Sequence, residues 1–203
     1  GARRAAPVSG SVDPAVHAPA PPRDHLRADL SYLGTYAADR QPALDALLLA
    51  PARRRPELTF LIGGSQYPAD FPWGDNVNYV RHVPPAEHGA FFCSSALTLS
   101  VTRRAMLDVG WCPSGRLFEA AACGAVVLTD AWPGLEAFFT PGEEVLVART
   151  TDEALAAIDT PRAVLSRIGR AARERALSEH TAAHRARELE ALLTATTGRR
   201  EAA

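Results

Sequence analysis

Six short β-prone runs, each followed by a helical or polar stretch, constrain this chain more than any other feature. "DLSYLG" precedes "RQPALDALLLAPARRR", and "LTFLIGG" precedes a polar loop. "NVNYV" leads to "PPAEHGAFFCSS", and "LTLSV" leads to "RRAMLDVG". "AVVLT" follows a helical segment at 115–123, and "EVLVA" precedes "TDEALAAI". Such alternation predicts an α/β fold, with repeated βα units around a parallel sheet flanked by helices.

The 203 residues are 47% apolar, enough for one sizeable core. Residues 1–28, rich in Pro, Ala and Arg, are expected to form a linker or crossover. Residues 29–160 hold the βα units, and 161–203 are expected to be C-terminal helices with a frayed tail, "TATTGRREAA". In that tail region Val164, Leu165 and Ile168 fall at helical spacing, as do Leu189, Leu192 and Leu193. "SEHT" is expected to divide it into two helices, because Ser and Thr favour caps.

A formal net charge of −1 gives no global electrostatic case for nucleic acid or an anionic membrane. All 22 basic residues are arginine, which excludes a Schiff-base lysine and the lysine of a Walker-type phosphate loop. Arginine still offers phosphate a planar fork of donors. Cys93, Cys112 and Cys123 have no metal-ligand spacing and read as reduced, mostly buried residues of a cytoplasmic protein. No membrane span or signal peptide is expected. The chain opens "GARRAAPVSGSVDPAVH" without methionine, as a cut through a longer protein would.

In a parallel sheet ligands bind beyond the carboxyl ends of the strands, so the strand-to-helix turns are the informative positions. In "YLGTYAADRQP", Gly34 lets backbone approach a ligand, and Asp39 can cap a helix with Pro42 in its first turn. Arg40 then stands at the positive end of that helix, an anion site by geometry. The same residues also fit a plainly capped helix with a solvated arginine. In "PSGRLFE", Ser114 can cap and Gly115 opens the first turn, leaving free amides for a phosphate. Glu119 follows about one turn later, where two carboxylate oxygens suit a vicinal diol. Taken alone, Glu119 fits a surface residue better. In "LTDAWPGLE", Asp130 follows a strand, Pro133 and Gly134 turn the chain, and Glu136 can begin a helix. His180 and His184 have two-ligand spacing on a helix but no third ligand, and His17, His25 and His88 carry no pattern.

"RLFEAAACGAVVLTD" resembles the donor-binding half of group-1 glycosyltransferases of the GT-B fold. The blocks "SYLGTYAADRQ", "RLFEAAACG", "WPGL" and "HTAAHRA" together resemble the CgeB-type, spore-maturation-like members over about residues 8–195. The resemblance implies a Rossmann-like domain, the C-terminal half of a GT-B fold. It assigns Glu119 to the nucleotide ribose and puts Trp111 where the family's other motif glutamate stands. Arg40 takes the place of a diphosphate-binding lysine, and Thr35 that of an arginine, with Arg103 or Arg116 as replacement charges. The segment Arg81–His82–Val83 matches the one lining the base. Asp130 and Glu136, with Trp132 and Gly134 between them, are implied to form a loop near the cleft.

The implied donor substrate is a nucleotide-diphosphate sugar, with no cofactor and no metal. The implied partners are an N-terminal Rossmann-like domain and a glycan, lipid or protein acceptor, with no nucleic acid. Charge developing on the leaving diphosphate would meet arginines and helix-start amides. Two other classes fit the same residues. One is a non-catalytic nucleotide-sugar-binding or structural module of a cell surface or spore coat. The other is a sugar-nucleotide epimerase of related fold.

Overall fold

Near-continuous apolar runs suit strands covered on both faces. The computed structural model, which describes residues 5–109 and 112–197, places all six runs in one sheet. The strands are β1 (Ala28–Leu33), β2 (Phe60–Gly63), β3 (Val77–Val80), β4 (Ser95–Ser100), β5 (Val127–Asp130) and β6 (Leu146–Ala148). They lie in the order β3-β2-β1-β4-β5-β6, and every pairing is parallel.

Period-two alternation divides the core between the two faces. Leu30, Tyr32, Phe60, Ile62, Leu97, Leu99 and Leu128 face one layer, with Leu44 and Leu47–Leu49. Leu33, Leu61 and Val127 face the other, with Phe91, Phe92, Leu117, Phe118 and Ala120–Ala122. Phe118 is fully buried and touches the rings of Phe138, Phe139 and His180. Burial on that scale contributes roughly 2–3 kcal/mol for one such side chain.

The helix expected after β1 forms with a local change of pitch. It runs from α1 (Gln41–Leu44) through one π turn (Asp45–Leu49) into α2 (Ala50–Arg54). Pro51 has no N–H to return to the preceding turn, and the widened turn just before it accommodates the ring. Then come α3 (His88–Cys93), α4 (Arg104–Val109), α5 (Gly115–Ala122), α6 (Thr151–Ile158), α7 (Arg162–Glu179) and α8 (Ala182–Thr197). The break between the last two falls at His180 and Thr181, within the expected "SEHT".

Residues of the leading segment are strapped to that break. The Val12 N–H donates to the His180 carbonyl at 2.9 Å, and the Ala182 N–H to the Val12 carbonyl at 2.8 Å. Helix α8 continues through Thr197, past the point where fraying was expected, and residues 198–203 lie outside the described residues. Of the cysteines, Cys123 is buried and Cys93 half-buried, but Cys112 is exposed, contrary to expectation. No helix among the described residues is long and apolar enough to cross a membrane.

Candidate active site

The strand order reverses between β1 and β4, because the chain builds outward to β3 and then returns to the other side of β1. That topology opens a crevice beyond the carboxyl ends of the two strands. The crevice here is an open cavity of about 1040 Å³. Its walls are the segment from Tyr32 to Arg40, the segment from Leu99 to Val101 with Arg103 and Arg104, and the start of α5 with Ser114, Gly115, Arg116 and Glu119.

The β1 wall is shaped from beneath. Gly64 has φ +135°, and a Cβ there would stand 2.1 Å from the Gly34 carbonyl oxygen, so only glycine lets the two turns touch. The Tyr67 hydroxyl donates to the same carbonyl at 3.0 Å. Gly34 and Thr35 are thus fixed with Thr35 exposed on the cavity. Arg40 folds back over this turn, its Nη1 donating to the Thr35 carbonyl at 3.3 Å and reaching Tyr32 Oη at 3.5 Å. Burial pushes the Tyr32 hydroxyl above its usual range, with the Arg40 charge opposing, so it stays a neutral partner. Arg40 Nε is buried with no hydrogen-bond partner among the described residues. The Arg40 side chain also lines the cavity, where a guanidinium suits an anion.

Asp39 does not cap its own helix. Its carboxylate crosses the cavity to accept from the Arg104 N–H at 2.9 Å, closing the start of α4, and lies 3.5 Å from Arg103 Nε. The reason is local: residues 38–40 form a 3₁₀ turn, which carries the side chain away from the start of α1.

On the third wall, Ser114 has the extended backbone of an N-cap, yet its hydroxyl makes no capping bond, and no acid stands in the first turn of α5. The Leu117 N–H donates to the Ser114 carbonyl at 3.1 Å, which leaves the amides of Gly115 and Arg116 to the cavity. A Cβ on Gly115 would stand 3.7 Å from Glu119 Oε1, so that oxygen lies over the helix start. The other oxygen, Oε2, is bonded by Arg116 Nη1 and lies 3.7 Å from His88 Nδ1. Burial alone pushes the Glu119 carboxyl up; the contacts of His88 and Arg116 more than offset it and hold the group below the usual carboxylate range. Glu119 is therefore an ionised carboxylate with one oxygen bonded by Arg116 and one free of protein partners among the described residues.

Other expected residues lie outside the cavity lining. Arg81 and His82 are exposed, and Val83 is buried with its carbonyl 3.2 Å from His88 Nε2. The Asp130 carboxylate instead pins the loop after β4, accepting from the Thr102 N–H and Oγ1 at 3.0 Å each. Burial raises the Asp130 carboxyl, with the Thr102 bonds opposing. Trp132 turns inward, its ring 5.9 Å from that of Phe138; Gly134 takes the left-handed turn at φ +95°, and Glu136 is exposed in a 3₁₀ turn. Trp111 lies outside the described residues.

The histidine pair on the C-terminal helices is structural. His180 Nε2 faces the Phe138 carbonyl at 3.1 Å and Nδ1 faces Arg185, while His184 Nδ1 meets Thr181 Oγ1. Among the described residues, no three His, Cys, Asp or Glu side chains form a metal cluster. Sequence reasoning missed Gln66, which lines the cavity with a left-handed φ of 67° rare for a residue with a side chain, and it missed His88.

This parallel six-stranded sheet with its crevice at the β1/β4 switch has the fold of the Rossmann-like half of GT-B glycosyltransferases. It superposes on sucrose-phosphate synthase from Thermosynechococcus elongatus with a TM-score of 0.73 and 16% identity, covering 94% of this chain and 52% of that one. Against Anabaena HepE in complex with UDP and glucose the TM-score is 0.68 at 12% identity, covering 91% of this chain and 55% of that one. The C-terminal domain of the group-1 glycosyltransferase LpcC from Francisella tularensis matches with a TM-score of 0.62 at 11% identity, over 84% of this chain and 99% of that domain. The chain therefore spans about half the length of the first two relatives. No curated protein sequence matches it. Residues 40–191 match the glycosyl transferase-like family Glyco_trans_1_2, and the chain belongs to that family.

Proposed function

We propose that this chain is the donor-binding domain of a two-domain glycosyltransferase of the CgeB-like type. It takes a nucleotide-diphosphate sugar in the cavity between β1, β4 and α5. The diphosphate lies between the open amides of α5 and the guanidinium of Arg40, and the ribose diol bonds the free oxygen of Glu119. The observation that carries this reading is the joint placement, in one cavity, of an uncapped helix start, the Arg40 side chain and a one-sided carboxylate. Likeness to the HepE complex with UDP and glucose supports the nucleotide class.

Leaving-group charge would be met by these fixed donors, in a site a second domain closes from water. The second domain would also bring the acceptor, a glycan, lipid or protein. No metal is needed for the charge stabilisation so described. Calorimetric titration of UDP-glucose into the chain tests the reading. Saturable binding that Glu119→Ala weakens by about hundredfold supports it; a folded chain that takes up neither UDP-glucose nor UDP overturns it. The chain alone is expected to transfer no sugar, and turnover by it would overturn that part.

A further inference from the structure

His88 opens α3 with its ring buried, edge-on to Phe92 and with only 9% of the residue exposed. Its Nε2 lies 3.2 Å from the Val83 carbonyl oxygen. A carbonyl only accepts, so Nε2 carries a proton. Nδ1 then faces Glu119 Oε2 at 3.7 Å. In a neutral ring that nitrogen turns a lone pair toward a carboxylate, which repels. The contact attracts only when Nδ1 is protonated as well.

The other charges nearby are accounted for. Arg116 bonds the same Oε2, and His17 of the leading segment acts on the carboxyl from further off. Glu87, adjacent to His88, is engaged by Arg23 at 3.0 Å. Arg81 and His82, on the loop before α3, are exposed.

We propose that His88, as an imidazolium, is the positioning residue for Glu119. It holds Oε2 against α3 so that Oε1 is presented to the ligand, and it ties that carboxylate to the Val83 carbonyl. This rests on the donor-site reading above. Ligand affinity then depends on a proton that the ligand never touches.

Two measurements test it. The first needs no nucleotide: the ¹⁵N shifts of the His88 ring are followed against pH in the wild-type chain and in Glu119→Gln. The titration midpoint is expected to fall by about one pH unit in the variant, the size of an opposite charge lost at this range. An unchanged midpoint overturns the coupling. In the second, UDP-glucose is titrated from pH 5.5 to 8.5, where its diphosphate diester keeps one charge state. Wild-type affinity is expected to fall by about tenfold as the ring loses its second proton. His88→Gln, which keeps a donor for Val83 but no charge, is expected to be weak and flat across the range.

A parallel drop at every pH, with the wild-type slope retained, would make His88 merely structural. If wild-type chain takes no UDP-glucose at any pH, the donor-site reading and its dependence on His88 both fall. The ring titration still decides the charge coupling on its own.

Discussion

Helices α5 and α6 are both eight residues long, and both begin at the carboxyl edge of the sheet. Their first turns are built in opposite ways. Helix α6 closes itself: Thr150 accepts from the Glu153 N–H at 3.2 Å, Glu153 reaches back to the Arg149 N–H, and Asp152 adds a second acid. That reciprocal pattern satisfies the orphan donors and complements the helix dipole. Helix α5 has the same opportunity in Ser114 and declines it, with no cap bond and no first-turn acid. A helix start completed by its own side chains is architecture. One left open beside arginines is a place for an anion from outside.

The contrast can be broken at several points. Glu119→Ala should have the largest effect, weakening UDP-glucose by about hundredfold in calorimetry, the size of a charged hydrogen-bonded pair to the ribose. Next, Gly115→Asp gives α5 an α6-like first turn without a clash, since the new Cβ has 3.7 Å to its nearest neighbour. It should weaken UDP-glucose by about tenfold with thermal stability little changed, the gain at the helix start being offset by the like charge of Glu119 one turn on. If affinity is unchanged, the open amides are not where the phosphate sits. Thr150→Ala should do the reverse: a loss of about 1 kcal/mol in denaturant unfolding, with UDP-glucose affinity intact.

The smallest effect is acidic. The Glu119 carboxyl sits below its ordinary value in the folded chain. Its contribution to folding is therefore complete above the ordinary carboxylate range and is lost as pH falls through the lowered value. In Glu119→Gln that part of the acid limb in a pH–stability profile should flatten.

Much of the fold was legible because buried parallel strands announce themselves as apolar runs and their connections as helical ones. Helix starts were legible for the same local reason, which is how Gly34, Arg40, Ser114 and Glu119 could be named and then found around one cavity. What stayed hidden depends on distant chain segments meeting. Asp39 reads as the cap of the helix beside it; only the packed sheet shows that it reaches the start of α4 instead. His88 has no pattern in the sequence, because its partner lies on α5. Gln66 gives no signal, since a left-handed residue in a polar loop is set by the turn of Gly64 beneath Gly34. The family resemblance implies a cleft position for Trp132, and packing turned it to the core.

Asp39 has a final consequence. Arg40, Arg103 and Arg104 crowd one rim, and the carboxylate stands among them before any ligand arrives. It is a resident counter-ion. Were a phosphate to bind as proposed, Arg103 would trade the carboxylate for it while the Arg104 N–H kept it through the backbone, and the start of α4 would stay closed. On the donor-site proposal, a visitor carrying a single diffuse charge would gain little from such a swap and a diphosphate would gain most, so the rim would sort ligands by charge density before any sugar or base is read.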